Sequence, residues 1–125
     1  MTAAARHLDE YVRALNTHDW KQVRPLIDDN AVFIFSEGTY VGIRAIEAAV
    51  QRTFALIKDE HYQVKNQHWV QDLATSALCY YDFAWRGLID GREVSGGGRG
   101  TSVLHQTSTG WKIIHEHLGP AAVAG

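Results

Sequence analysis

The alternation of apolar and polar positions divides the chain into a helical first half and a stranded second half. Leu8, Tyr11, Val12 and Leu15 stand at i, i+3, i+4 and i+7, the apolar stripe of one helix. Asn16-Thr17-His18 ends it. Asp19 is placed to cap a second helix, with Gln22 as the reciprocal partner of a capping box. Trp20, Val23 and Ile27 form the buried side of that helix, and Pro25 keeps it short or distorts it. Asp28-Asp29-Asn30 reads as a turn. Ala31 to Phe35 is a strand by its β-branched and aromatic content. Ser36-Glu37-Gly38 turns the chain into a short return strand, Thr39-Tyr40-Val41. Gly42 precedes a third helix, in which Ile43, Ile46, Val50, Phe54 and Ile57 keep helical spacing while Ala45, Ala48 and Ala49 allow close approach.

From residue 60 the period changes to two. His61 to Gln71 alternates loosely. Ala77 to Leu88 is a long strand rich in aromatics, and Asp90-Gly91 is a hairpin turn signal. Val94 to Gln106 is the next strand. Its glycines at 96, 97, 98 and 100 predict a bulge or a sharp bend. Thr107 to Gly110 turns the chain into a last strand, Trp111 to Leu118, which Gly119-Pro120 stops. Residues 121–125 read as a frayed tail. Helices gathered in the first half must cover one face of the sheet made by the second, which is an α+β arrangement. A strongly bent sheet under such helices leaves a pocket on its concave side.

Composition changes this picture little. With 125 residues the chain fits one domain, 1–125, and can bury a core of its own. The net charge of -2 gives no basic surface for phosphates, so nucleic acid is not expected as a partner. The lone Cys79 excludes an internal disulfide, and its alternation with Tyr81 and Phe83 reads as an inert core thiol. No stretch is long enough to span a membrane and no apolar signal core follows Met1, so the expectation is a cytoplasmic protein without a membrane partner.

Three patterns in order resemble the SnoaL-like branch of the nuclear-transport-factor-2-like superfamily. They are Leu15-Asn16-Thr17-His18-Asp19-Trp20 with Leu26 to Val32, Tyr40 to Ile46, and Gly98-Arg99-Gly100-Thr101 leading to Gly110 to Leu118. The last pattern is also similar to the closing strand of the association domain of calmodulin-dependent protein kinase. Gly119 departs from the serine, and Asp82 from the arginine, of those relatives. The resemblance covers nearly the whole chain. It implies a cone-shaped, curved antiparallel sheet with three helices over its concave face (a cystatin-like roll), frequent dimers packed through the sheet, and a pocket at the wide end. It implies no particular reaction, because this fold hosts isomerases, cyclases, dehydratases, transport adaptors and oligomerisation domains.

Several side chains are candidates for chemistry. His115 and His117 lie two apart on one strand, on the face expected to carry Trp111 and Ile113. They read either as acid–base or anion-binding groups in a pocket wall or as buried structural histidines. His105 or His68 could join them around a metal, but no further ligand spacing supports that, and no metal or cofactor is expected. Asp82 sits mid-strand between Tyr81 and Phe83, sharing a face with Tyr80. It is a base if it faces the pocket and one half of a cross-strand ion pair, with Arg86 or Arg99, if it does not. Tyr80 with Asp82 matches the donor and acid of ketosteroid isomerase by residue type alone. Arg99, on the face of Thr101, could clamp a carboxylate, its direction depending on a bulge in the glycine run. Glu37 reads as a turn residue near the rim. No phosphate-binding loop, nucleophile elbow or His-Glu-x-x-His motif is present.

The expectation is a protein that binds a small, partly apolar acid or ketone in an apolar pocket, and whose candidate activity is to isomerise, cyclise or hydrate it by acid–base chemistry without a cofactor. His115 and Asp82 would serve as acid–base groups and His117, Arg99, Tyr81, Trp111, Thr101 and Tyr80 would contact the ligand. The alternative is a non-catalytic ligand-binding or oligomerisation module. Large residues on both faces of the aromatic strand predict a homodimer.

Overall fold

A computed structural model describes residues 1–121; the tail expected to fray falls, from residue 122 on, outside the described residues. Helix α1 spans Ala3–Asn16, α2 Trp20–Val23 and α3 Ile43–Leu56. Six strands follow the order of the chain: β1 Ile27–Phe35, β2 Gly38–Val41, β3 Lys58–Asp72, β4 Ser76–Ile89, β5 Arg92–Thr107 and β6 Gly110–Gly119. They form one sheet in the order β2-β1-β6-β5-β4-β3. All neighbours are antiparallel except β1 and β6, which run parallel. The wholly antiparallel sheet expected from the sequence is therefore mixed, because the closing strand returns beside β1 in the same direction.

The helices lie over the concave face. Leu8 and Tyr11 of α1, Trp20 and Val23 of α2 and Ile46 and Val50 of α3 share one core with Ile27, Phe33, Cys79, Tyr81, Leu104 and Ile113 of the sheet. Pro25 does shorten α2, which tightens into a 3-10 turn at Arg24–Leu26. The capping box is only half made: the Asp19 carboxylate accepts from the Lys21 amide, while the Asp19 amide donates to the Thr17 hydroxyl. Asp28-Asp29-Asn30 does not break the chain. It lies inside β1 as an irregularity where the register with β6 shifts, and Asp28 Oδ1 accepts from the Asn30 amide.

The polar residues between α1 and α2 fasten the helices to the edge strand β3. The Asn16 amide donates to the Tyr62 carbonyl at 2.8 Å and accepts from the Tyr62 amide at 2.7 Å, as a neighbouring strand would. His18, in the left-handed region at φ 57°, donates from Nε2 to the Glu60 carbonyl at 2.8 Å. These bonds cover backbone groups on β3 that would otherwise lie open for pairing with another chain.

The glycine run is not a bulge. The β4–β5 register passes through it unbroken, pairing Trp85 with Gly96, Phe83 with Gly98 and Tyr81 with Gly100. Along this stretch the alternate residues of β4, Tyr81, Phe83 and Trp85, are large aromatics, and each faces a glycine across the strand gap. A Cβ on Gly100 would lie 2.5 Å from the Tyr81 ring, and one on Gly98 would strike the Gly119 carbonyl oxygen. Aromatic rings thus fill the space that β5 leaves empty. Gly98→Ala, whose clash is with backbone, is expected to lower unfolding free energy by about 1–3 kcal/mol. Gly119→Ala meets nothing within 4 Å and should stay within about 0.5 kcal/mol of wild type, both read from urea denaturation midpoints.

Candidate functional site

The face each side chain takes in β6 is set by one residue. Leu104 pairs with Ile113 and the next residue back on β5, Val103, pairs with His115, so Ile114 is an extra residue in β6. Strand side chains alternate, and one inserted residue exchanges every position beyond it between faces. Ile113 is fully buried on the concave side with Trp111 packed against the same core. Beyond Ile114 it is Glu116 that points inward, at 2 % exposure, beside Phe33 of β1 and Ser102 of β5. His115 and His117 face outward. The wall expected from Trp111, Ile113, His115 and His117 on one face does not form.

The concave centre is polar and closed. Glu116 stands among the phenols of Tyr11 from α1, Tyr62 from β3 and Tyr81 from β4. Its Oε2 has no hydrogen-bond partner. Burial pushes the Glu116 carboxyl up to about 7, and the approach of the Tyr11 hydroxyl works against that rise. Tyr11, Tyr62 and Tyr81 are all raised above the usual phenol range, by burial first and by the Glu116 charge second. The Tyr81 hydroxyl shares a 2.7 Å hydrogen bond with Ser102 Oγ. Cys79, beside them, is pushed up to about 12 by burial and is an unreactive thiol.

The outer face holds most of the residues selected from the sequence. Asp82, Arg99, Tyr80, Thr101 and His117 border a shallow groove of about 460 Å³, while Tyr81, also in its lining, has its side chain buried in the concave core. His115 lies apart from Asp82. It donates from Nδ1 to the Val32 carbonyl at 2.7 Å, joining β6 to β1, and its ring is 6.5 Å from that of His117. Asp82 pairs with neither Arg86 nor Arg99; its Oδ2 accepts from Asn66 Nδ2 at 2.9 Å. Neither histidine considered as a third metal ligand joins His115 and His117. His105 pairs with Asp28 at 3.0 Å, which together with the Asn30 amide holds that carboxyl below its ordinary range, and His68 stacks on Tyr80. Among the described residues no three His, Cys, Asp or Glu side chains gather as a metal cluster. Also among the described residues, no helix is long and apolar enough to cross a membrane.

Glu116 was missed because period-two reading of β6 puts it outside. The signal that could have found it is compositional: Trp111 and Ile113 alternate inward, yet the string Ile113-Ile114 places two bulky aliphatics side by side where a bulge can absorb one.

A curved mixed sheet with three helices packed across its concave face is the fold of the nuclear-transport-factor-2-like class. The model of the SnoaL-like domain matches residues 5–123, and the chain belongs to that family. No curated protein matches it. Among solved structures, it is similar to a nuclear transport factor 2-like superfamily protein from Salmonella enterica, with a TM-score of 0.87 at 19% identity over 96% of this chain and 89% of that one. A putative aromatic ring hydroxylase from Novosphingobium aromaticivorans gives a TM-score of 0.86 at 21% identity, covering 97% and 88%. A putative calcium/calmodulin-dependent protein kinase II association domain from Xanthomonas campestris gives 0.81 at 18%, covering 95% and 87%. At these identities the likeness is one of fold.

The raised Glu116 carboxyl has a consequence for stability. The folded chain holds this proton more tightly than the unfolded chain, whose ordinary value is 4.5. Its contribution is therefore fully present below pH 4.5 and is lost as pH rises through about 7, a loss of about 3 kcal/mol. Glu116→Gln cannot ionise. Urea unfolding of the two proteins across that range should show the variant gaining on wild type as pH rises; parallel curves would mean that the folded state leaves this carboxyl at its ordinary value.

Proposed function

We propose that this SnoaL-like protein binds a small, partly apolar carbonyl compound inside the cone and moves a proton on it, with Glu116 as the acid–base group. The observation that carries this reading is the buried carboxyl with an unpartnered oxygen, raised to about 7, among three phenols. A carboxyl that titrates near neutral pH can both take and return a proton. Phenols held protonated by burial can donate hydrogen bonds to a developing enolate oxygen. The aromatic and aliphatic walls supply the apolar surface that such a ligand would bury. His115 and Asp82, the acid–base groups expected from the sequence, have less support. His115 is occupied with a backbone carbonyl, and Asp82 lies on the solvent side.

Glu116, Tyr11 and Tyr81 are at most 3 % exposed, so a ligand reaches the carboxyl only by displacing side chains. Tyr62, Phe83 and Leu118, half-buried on the same concave face, are the groups that can give way. The same closure favours the second reading, a non-catalytic binding or oligomerisation module. For that reading the outer face offers a row of four aliphatic residues around one imidazole, Leu78, Val103, His115, Val32 and Val41 in register across five strands, as the contact of a homodimer.

The test is exchange of solvent deuterium into the α-carbon of simple ketones and lactones, followed by NMR. Protein-catalysed exchange is expected, with a rise as pH approaches 7 and a loss of about 100-fold or more in Glu116→Gln. A bound ligand at about a hundred times its dissociation constant should add roughly 2.7 kcal/mol, a melting shift on the order of 10 °C. A ligand that shifts melting without any exchange would select the binding module, and exchange unaffected by the substitution would remove Glu116 from the reaction.

A further inference from the structure

The cone holds no group that could balance a negative charge. All twelve lysines and arginines are among the described residues, and ten of them are exposed. The other two are engaged elsewhere: Arg24 pairs with Asp29 at 2.8 Å, and Lys112 donates to the Pro25 carbonyl. The histidines supply no charge to the cone either. His61, His68 and His117 are exposed. His7, His18 and His115 each hold a backbone carbonyl, and His105 pairs with Asp28. No basic side chain acts on Glu116: burial raises its carboxyl, and the Tyr11 hydroxyl alone opposes the rise.

What surrounds the cone's centre is one carboxyl with an unpartnered oxygen, three phenols and the Ser102 hydroxyl. Such a set suits an uncharged polar ligand, because hydroxyls donate to a carbonyl oxygen and need no counter-ion. An anion meets different conditions. Taking a carboxylate or a phosphate out of water with no cation beside it costs more than hydroxyl hydrogen bonds return. Ionised Glu116 would repel it as a like charge. Protonated Glu116 could donate one hydrogen bond to it, but the pair would still bury one negative charge without a partner. A free acid can therefore enter only after it has taken up a proton of its own.

We infer that the cone selects its ligand by charge: it takes uncharged ketones, esters and lactones and shuts out free acids and phosphate esters. This ligand class rests on the reading of the cone as the binding site, and of the acid or ketone expected from the sequence it keeps only the ketone.

The ionisation of a carboxylic acid sets the size of the effect. An ordinary side-chain-like carboxyl ionises near about 4.3, so at pH 7 about one molecule in 500 is neutral. An acid that enters only in that form is weaker than its ester by about 500-fold at pH 7, about 50-fold at pH 6 and about 6-fold at pH 5.

The probes are 4-oxopentanoic acid and 4-oxo-4-phenylbutanoic acid, each compared with its methyl ester, which keeps the ketone and chain and removes the charge. Binding to the intact protein is followed by backbone amide NMR at Tyr11, Ser102 and Glu116, which report on the cone. At least one ester is expected to move these amides, with an ester-to-acid affinity ratio that shrinks with falling pH as above. The extra methyl group can offset the ratio but cannot give it this slope. Leu118→Lys places an ammonium at a half-buried position on the concave face, on a stem that can reach inward or out to water. It should improve the acid about tenfold or more at pH 7 and leave the ester nearly unchanged. The pH series uses the wild-type protein and decides the matter where this variant does not fold. A ratio near one at pH 7, a ratio that does not change with pH, or a folded Leu118→Lys that binds the acid no better than wild type overturns the charge selection and leaves the cone as a binding site. If neither ester moves the three amides at any pH, the cone is not a site for such carbonyl compounds, and the proposed reading falls together with the inference.

Discussion

One extra residue in the closing strand decides which side of the sheet holds which chemistry. Ile114 has no partner in the β5 ladder, and everything after it is turned over. Without it, a strict alternation from Ile113 would carry His115 and His117 into the core and put Glu116 in solvent. With it, two imidazoles face outward and a carboxylate is buried. Bulges re-aim side chains in this way at little cost to the rest of the ladder, since pairing resumes in register from His115 to Gly119.

Burial of Glu116 is expensive, and the surrounding structure shows how it is tolerated. Its Oε2 has no hydrogen-bond partner, and among the described residues no cation is near enough to form an ion pair. At neutral pH it escapes the full penalty by holding its proton part of the time, which is what its rise to about 7 expresses. The phenols around it provide weak polar company rather than neutralisation. This centre could be built only because β5 contributes almost no side-chain volume along the glycine run. The aromatic rings of β4 can then lie over β5, and Tyr81 reaches Ser102 beside the carboxyl. The fold therefore spends β5 side chains on clearance and β4 side chains on bulk.

Much of this architecture was legible in the sequence because it is periodic. The α1 stripe, the spacing in α3, the Asp90-Gly91 turn and the aromatic alternation of β4 each record one buried face, and a buried face is what period detects. The turn itself has φ 52° at Asp90 and 76° at Gly91, the geometry that the dipeptide favours. What was not legible came from places where the period breaks without a breaker residue. Glycines suggested a bulge in β5, where none exists, and two isoleucines concealed the one in β6. The Asp28-Asp29-Asn30 turn was a similar case, a register irregularity inside a strand. The residues chosen as a site were chosen by chemical type, so Asp82, Arg99, Tyr80, Thr101 and His117 do meet, but on the outer face. Trp111 and Tyr81 went to the concave side, and Glu116 was overlooked.

The separation between the two faces is itself a property of strands. Across β4, Tyr81 and Asp82 are neighbours in sequence and are on opposite sides of the sheet; the same holds for Gly100 and Arg99 on β5 and for Glu116 and His117 on β6. The side chains of the concave and convex faces are therefore interleaved residues of the same strands. The two faces share one ladder of backbone hydrogen bonds, so side chains on opposite sides of the sheet are held in place by the same pairing.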